Sequence, residues 1–172
     1  IHSQRLAAAA LIDSAPEVPT ALVVGSGDAF NVVPLTTDRN FIDRYLNVIT
    51  ADVMPTEGRE IPVMVAHSEA ILTRAGVVVG QVVVLVGGEP PHLGNEYLPR
   101  WTRVVVVEPD TRVQWSNYAN FLDARLVSYD DLTPVVDDLE WQIERARHRG
   151  DRAAVHDLTP YLLALAALLW LT

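Results

Sequence analysis

The chain contains neither cysteine nor lysine. All 13 basic side chains among its 172 residues are arginine. Without cysteine the chain forms no disulfide, offers no thiolate nucleophile and holds no cysteine-bound zinc or iron–sulfur site. Without lysine it has no Schiff base, no phosphate-binding lysine of a P-loop and no lysine general base. These absences exclude several large classes of enzyme before any motif is considered.

The charge balance and the hydrophobic content indicate an acidic globular chain. The formal net charge is -9, and 49% of the residues are hydrophobic. An acidic total disfavours broad coating of nucleic acid, although a local arginine patch stays open. The apolar segment 161–171 is shorter than the roughly 20 residues that span a bilayer, and no secretory leader opens the chain. We therefore expect no membrane insertion and no secretion, with a cytoplasmic or virion-associated location. The first residue, Ile1, is compatible with a fragment of a larger protein.

Strands and helices are predicted to alternate along the chain. Apolar, β-branched runs bounded by turn residues predict strands at 21–24, 61–66, 77–86, 104–107 and 124–128. Helical spacing and capping residues predict helices at 3–12, 38–53, 68–75, 111–122, 133–149 and 157–171, with a helical turn at 92–101.

Continuous valine runs are typical of parallel strands that helices cover on both faces. The pattern predicts an α/β fold with a mostly parallel sheet and helices on both faces. We divide the chain into an N-terminal α/β segment, 1–76, and a segment of cofactor-binding type, 77–172. One continuous domain is the alternative.

Two glycine-bearing loops follow predicted strands and compete as ligand sites, because ligands of parallel sheets bind beyond the carboxyl ends of the strands. The first loop is Gly25–Asp28, and the second begins at Gly87. A nucleoside held at such a loop also needs a carboxylate at the tip of the next strand, about 20 residues on. Glu108 meets this condition for the second loop, since 108 − 87 = 21. After the first loop, the next predicted strand lies too far along the chain.

The stretch from Val83 to Leu98, followed by 104–110, resembles the cofactor half of S-adenosylmethionine-dependent methyltransferases. It is most similar to viral cap-forming RNA methyltransferases, in which a strand runs into a glycine- and proline-bearing loop and the next strand ends in an acid. The resemblance covers about residues 82–131. It implies a Rossmann-like fold, S-adenosylmethionine as cofactor and cap-type RNA as a partner.

The resemblance also implies a role for each part of the segment. The methionine part of the cofactor would lie against Gly87, Gly88 and the backbone near Pro91. Glu108 would bind the ribose, and Asp130 or Asp131 would lie by the adenine. The cofactor-binding residues implied in this way are Gly87, Gly88, Glu89, Pro91, His92, Gly94, Glu108, Asp130 and Asp131.

Two departures from the family pattern limit what the resemblance implies. Pro91 stands where the family often has glycine, which removes a backbone donor. The Lys-Asp-Lys-Glu tetrad of ribose methylation is absent, because the chain has no lysine. Methyl transfer to a nucleophilic acceptor depends mainly on in-line positioning of the two substrates. We therefore assign no catalytic residue and expect either cap-type methyl transfer or an inactive relic of it.

A structural or assembly module without catalysis is the alternative function. Capsid, turret and scaffold segments of viruses are examples of such modules. The apolar segment 161–171 favours this alternative and predicts a homo- or hetero-oligomer, since apolar surfaces of this kind are usually covered by a partner.

The remaining polar features predict no further chemistry. His67 and His92 lack the carboxylate spacing of a metal site, so we expect no metal. Ser26 and Ser68 do not stand in a nucleophile elbow. The arginine-rich run Arg145–Arg152 fits a solvated helix end, where cations complement the helix dipole, better than an RNA contact. Gly87 and Glu108 themselves fit an ordinary turn and strand end as well as they fit a cofactor site.

Overall fold

The computed structural model describes residues 2–25, 27–49, 58, 60–77, 79–92, 102–148 and 161–168. Its helices are α1 (His2–Ser14), α2 (Arg39–Val48), α3 (Ile61–Arg74), α4 (Arg112–Phe121) and α5 (Thr133–His148). Its strands are β1 (Thr20–Gly25), β2 (Ala29–Thr36), β3 (Val79–Leu85), β4 (Thr102–Val107), β5 (Ala124–Ser128) and β6 (Tyr161–Leu168). A short 3-10 turn, Pro109–Thr111, precedes α4.

The six strands form one sheet in the order β2-β1-β6-β3-β4-β5. Strands β1, β6, β3, β4 and β5 run parallel to one another, and β2 is an antiparallel edge strand paired with β1. The predicted α/β class and the mostly parallel sheet are therefore confirmed. Strands from both predicted segments of the chain take part in this single sheet.

Helices cover both faces of the sheet, which explains the continuous valine runs. Val83 and Leu85 of β3 face a core shared with α1, α2 and α5. Val82 and Val84 face the opposite core, which contains α3 and α4. Because both faces of the central strands are buried, these strands carry apolar residues at successive positions and do not alternate apolar with polar residues.

One predicted strand is a helix. The sequence predicts a strand at 61–66 and a separate helix beginning at Ser68, but a single helix, α3, runs through both. Its buried positions, which include Ile61, Met64 and Leu72, recur at helical spacing. Pro62 lies in the first turn, where a helix tolerates proline. Ser68 does not cap a helix, because its hydroxyl donates to the Met64 carbonyl one turn earlier, at 2.8 Å.

The predicted helix over 157–171 is wrong where the structure describes it. Residues 161–168 form β6, the strand that lies between β1 and β3. Its register pairs Leu165 with Leu22 of β1 and with Val83 of β3. An apolar run of this length fits a buried strand as well as a buried helix, so periodicity alone does not distinguish them.

The other predicted elements agree with the structure within a few residues, with one omission. Asp38 caps α2 as predicted, and its carboxylate accepts a hydrogen bond from the Phe41 amide at 3.0 Å. The edge strand β2 was not predicted, because Pro34 interrupts its apolar pattern and only Val33 in it is buried. The predicted helical turn at 92–101 lies, after His92, outside the described residues. Among the described helices, none is long and apolar enough to cross a membrane.

Gly25 allows β1 to pack closely against α3. A β-carbon at this position would collide with the Met64 side chain and would lie 2.7 Å from the Asp28 carbonyl oxygen. We expect Gly25→Ala to lower the free energy of unfolding by about 1–3 kcal/mol, the usual cost of overpacking a core. Chemical denaturation measures this change.

Gly87→Ala is the matched control for this prediction. A β-carbon at Gly87 would meet only the Gln4 side-chain nitrogen, at an ordinary contact distance of 3.6 Å. Its effect on stability should therefore stay within about 0.5 kcal/mol. Equal losses in the two variants would contradict the close-packing role of Gly25.

Candidate functional site at the carboxyl edge of the sheet

The carboxyl ends of β1, β6, β3, β4 and β5 lie at one edge of the sheet, because these strands are parallel. The two glycine-bearing loops that compete in the sequence therefore lie along the same edge. They follow β1 and β3, and the carboxyl end of β6 lies between them. Gly25, in the first loop, has a packing role. The second loop, after β3, lies at the same edge as the predicted carboxylates, which follow β4 and β5.

The registers of β3, β4 and β5, continued past the strand ends, bring Gly87, Glu108 and Tyr129 to the same level at this edge. Leu85 pairs with Val106 in the β3–β4 register, so continuing that register by two residues brings Gly87 opposite Glu108. The β4–β5 register pairs Val107 with Ser128, and one more step brings Glu108 opposite Tyr129. The Tyr129 amide donates to the Val107 carbonyl at 2.9 Å, which extends the pairing.

Three side chains hold the loop after β3 by its carbonyl oxygens. Gln4 of α1 donates to Leu85 at 3.3 Å, and the Tyr129 hydroxyl donates to Val86 at 2.9 Å. From the opposite face of the sheet, the indole nitrogen of Trp115 in α4 donates to Gly88 at 2.8 Å. The first turn of the loop is therefore anchored from both faces.

The two loop glycines differ in what the fold demands of them. Gly88 has a φ of 65°, in the left-handed region that other residues adopt only with strain. Gly87 does not have a positive φ, and the space around its α-carbon would accept a β-carbon. The backbone conformation thus explains Gly88 and leaves Gly87 free for close approach of a ligand.

Glu108 is half-buried at the end of β4. Its backbone carbonyl accepts hydrogen bonds from the amide and the hydroxyl of Thr111, at 3.1 and 3.0 Å. Within the described ranges, no residue donates a hydrogen bond to its carboxylate. The carboxylate therefore has acceptor capacity for a ligand at the edge of the sheet.

The structure distinguishes Asp130 from Asp131. The Asp131 carboxylate accepts a hydrogen bond from the Thr133 amide at 3.2 Å, at the beginning of α5. Asp130 is exposed, and its carboxylate takes no hydrogen bond from the part of the chain that is described. Of the two acids predicted near the adenine, Asp130 therefore has the larger acceptor capacity.

The remaining predicted site residues lie on the outer part of the loop. Glu89 and His92 are exposed, and Pro91 is half-buried. Gly94 lies outside the described residues. His67 lies on α3, and in the described ranges no group of three or more acidic or histidine side chains is placed to hold a metal ion.

Sequence reasoning missed Gln4, Tyr129 and Trp115. Their hydrogen bonds reach the loop across 81, 43 and 27 residues of chain, respectively. One signal was present for Gln4, since it stands at helical spacing from Ala7, Ala8 and Leu11 on the apolar side of α1. The structure buries it there. Tyr129 and Trp115 carried no comparable signal, because a buried aromatic residue is ordinary in a core.

The surroundings of Tyr129 favour its neutral form. Burial of the phenol raises its pKa well above the usual value of about 10, and the negative charge of Glu108 raises it further. A hydrogen bond with Gln4 acts in the opposite direction with a smaller effect. Tyr129 therefore remains a hydrogen-bond donor to Val86 throughout the neutral pH range.

The raised pKa of Tyr129 predicts a loss of stability in alkali. Above about pH 10 an unfolded tyrosine ionises while the folded one keeps its proton, so unfolding becomes more favourable as the pH rises. We expect a loss of up to about 1.4 kcal/mol per pH unit in that range, which Tyr129→Phe should remove. Urea denaturation at about pH 8 and about pH 11 measures the difference.

Tyr45→Phe is the control, because the Tyr45 side chain on α2 is exposed. This variant should keep the alkaline loss of the unmodified chain. A loss that persists unchanged in Tyr129→Phe would show that other groups cause it.

Comparisons with known proteins assign no family to this chain. No family model matches it, and no curated protein or solved structure matches it. The methyltransferase resemblance therefore stays a prediction that rests on the residues of the β3–β5 region. The geometry and charge of the carboxyl edge are the basis for any functional proposal.

Proposed function

We propose that the carboxyl edge of the sheet binds S-adenosylmethionine and that the protein transfers its methyl group to an acceptor. The observation that carries the proposal is the β3–β4 register, which pairs Leu85 with Val106 and, continued by two residues, aligns Gly87 with Glu108. Neighbouring strands are about 4.8 Å apart, so both groups lie within reach of one nucleoside. Asp130 follows the next strand along the same edge.

The strand order supports a ligand at this point of the edge. The chain proceeds outward from β3 to β4 and β5, and then returns through α5 to β6 on the other side of β3. The direction of strand succession thus reverses between β3 and β6. In doubly wound sheets, the crevice at such a reversal is where ligands bind. This order is the basis for proposing a Rossmann-like fold.

The residues present fit the parts of the cofactor. Gly87 leaves room for the methionine part to approach the backbone, and the Glu108 carboxylate accepts hydrogen bonds from ribose hydroxyls. Asp130 accepts a hydrogen bond from the adenine amino group. When bound, the cofactor would supply a methyl group: an acceptor lone pair would bond to the methyl carbon while the carbon–sulfur bond breaks, and that bond's electron pair would stay on sulfur in S-adenosylhomocysteine. The contribution of the chain is to orient the two reactants, which lowers the entropic part of the barrier.

The acceptor implied by the resemblance is RNA, and it stays a prediction. The net charge of -9 opposes a polyanion. Glu108 and Asp130 add negative charge at the proposed site itself. An RNA acceptor would therefore need a separate basic contact, and an inactive relic that binds the cofactor alone remains the other form of this proposal.

The assembly alternative has lost its main support. It rested on an apolar segment at 161–171 that a partner would cover. Residues 161–168 instead form an interior strand with β1 on one side and β3 on the other. An oligomer stays a prediction, and the pairing of residues 161–168 on both sides leaves no open strand edge there for a partner.

Glu108 is the residue on which cofactor binding should depend most. We expect S-adenosylhomocysteine to bind the unmodified chain in isothermal titration calorimetry and Glu108→Ala to abolish the binding, because the ribose hydroxyls lose their acceptor. Loss of a charged hydrogen-bond acceptor in a partly buried site costs about 1.5–3 kcal/mol per bond. Two ribose contacts would then account for a loss beyond detection.

Asp110→Ala is the matched control for Glu108→Ala. Asp110 is an exposed acid two residues further along, in the 3-10 turn, and its loss removes the same charge. Its effect on the dissociation constant should be less than about twofold, because an exposed charge is screened by solvent. The absence of heat from the unmodified chain at millimolar ligand would overturn the proposed function.

A further inference from the structure

The amino-terminal helix α1 contributes a buried polar side chain to the carboxyl edge. Gln4 is 2% exposed, donates to the Leu85 carbonyl and is hydrogen-bonded to the Tyr129 phenol. Tyr129 in turn donates to Val86. Two side chains that lie 125 residues apart in the chain thus hold two consecutive carbonyls at the end of β3.

Both side chains lie on the face of the sheet where Gly87 and Glu108 would meet a ligand. Leu85, Val106 and Val127 belong to the core shared with α1 and α5. Gly87, Glu108 and Tyr129 follow two positions later, just past the strand ends, where continuing the period of two returns them to this face. Tyr129 packs against the same core, and the charge of Glu108 acts on its phenol. The 3.6 Å between Gln4 and a β-carbon at Gly87 agrees with this placement.

We propose that Gln4 and Tyr129 are positioning residues, which hold the Gly87–Gly88 backbone in the conformation that receives the part of the ligand beyond the ribose. This inference rests on the proposed function. Both side chains act through the carbonyls of Leu85 and Val86 without contact to the ligand. Glu108 and Asp130, which would bind the ribose and the adenine, accept no hydrogen bond from either side chain. The two parts of the ligand should therefore respond differently when the anchors are removed.

The test compares S-adenosylhomocysteine with adenosine, which lacks the amino-acid part. We expect Gln4→Met to weaken S-adenosylhomocysteine binding by about tenfold, since a buried hydrogen bond to the loop is lost. Adenosine binding should change by less than about threefold. Titrations followed by calorimetry and by saturation-transfer NMR measure the two dissociation constants. A general loss of stability would weaken both ligands alike, so the split between them separates positioning from folding.

Gln81→Met is the matched control. Gln81 is a fully buried glutamine on the same face of β3, near the amino end of the strand and away from the site. Its side-chain amide has no hydrogen-bond partner among the described residues. This variant should leave both dissociation constants unchanged.

Tyr129→Phe is a second variant, which removes one hydroxyl and keeps the ring. It provides the same measurement if Gln4→Met does not fold. It should show the same split between the two ligands. Equal weakening of both ligands, or no weakening of either, would overturn the positioning role while leaving the proposed function intact. If the unmodified chain binds neither ligand, the proposed function fails, and the inference fails with it.

Discussion

The sheet is continuous only because β6 pairs with β1 on one side and with β3 on the other. Without this strand, the β1–β2 hairpin would have no neighbour in the β3–β4–β5 group. The same insertion buries the edges of β1 and β3, whose backbone groups would otherwise need water or another partner. It also creates the reversal in strand order on which the proposed ligand crevice depends.

A second constraint acts on the loop after β3. Its carbonyls are hydrogen-bonded from both faces of the sheet, by Gln4 and Tyr129 on one face and by Trp115 on the other. A loop held in this way loses less conformational entropy when a ligand binds. A rigid backbone beside a carboxylate with acceptor capacity is suited to binding and orientation, which is the kind of catalysis that methyl transfer requires.

Prediction from the sequence succeeded where a segment carried more than one independent signal. The valine runs of β3 and β4 combined β-branched residues with turn residues, and both are strands. Helix α2 combined helical spacing with the capping residue Asp38. Segments 61–66 and 157–171 were predicted mainly from their apolar character, and both predictions were wrong where the structure describes these residues. A short apolar run fits either element, so the neighbours in the fold decide which one forms.

The candidate site divides in the same way. The 21-residue spacing from Gly87 to Glu108 depends only on one strand, its connection and the next strand. The sequence alone therefore determined that these two residues follow the ends of successive strands. Only the tertiary structure decided that they stand level, that Asp131 is engaged at a helix terminus while Asp130 is not, and that Gln4 reaches the loop from α1. These contacts join residues that are distant in the chain, and no local pattern encodes which of them will meet.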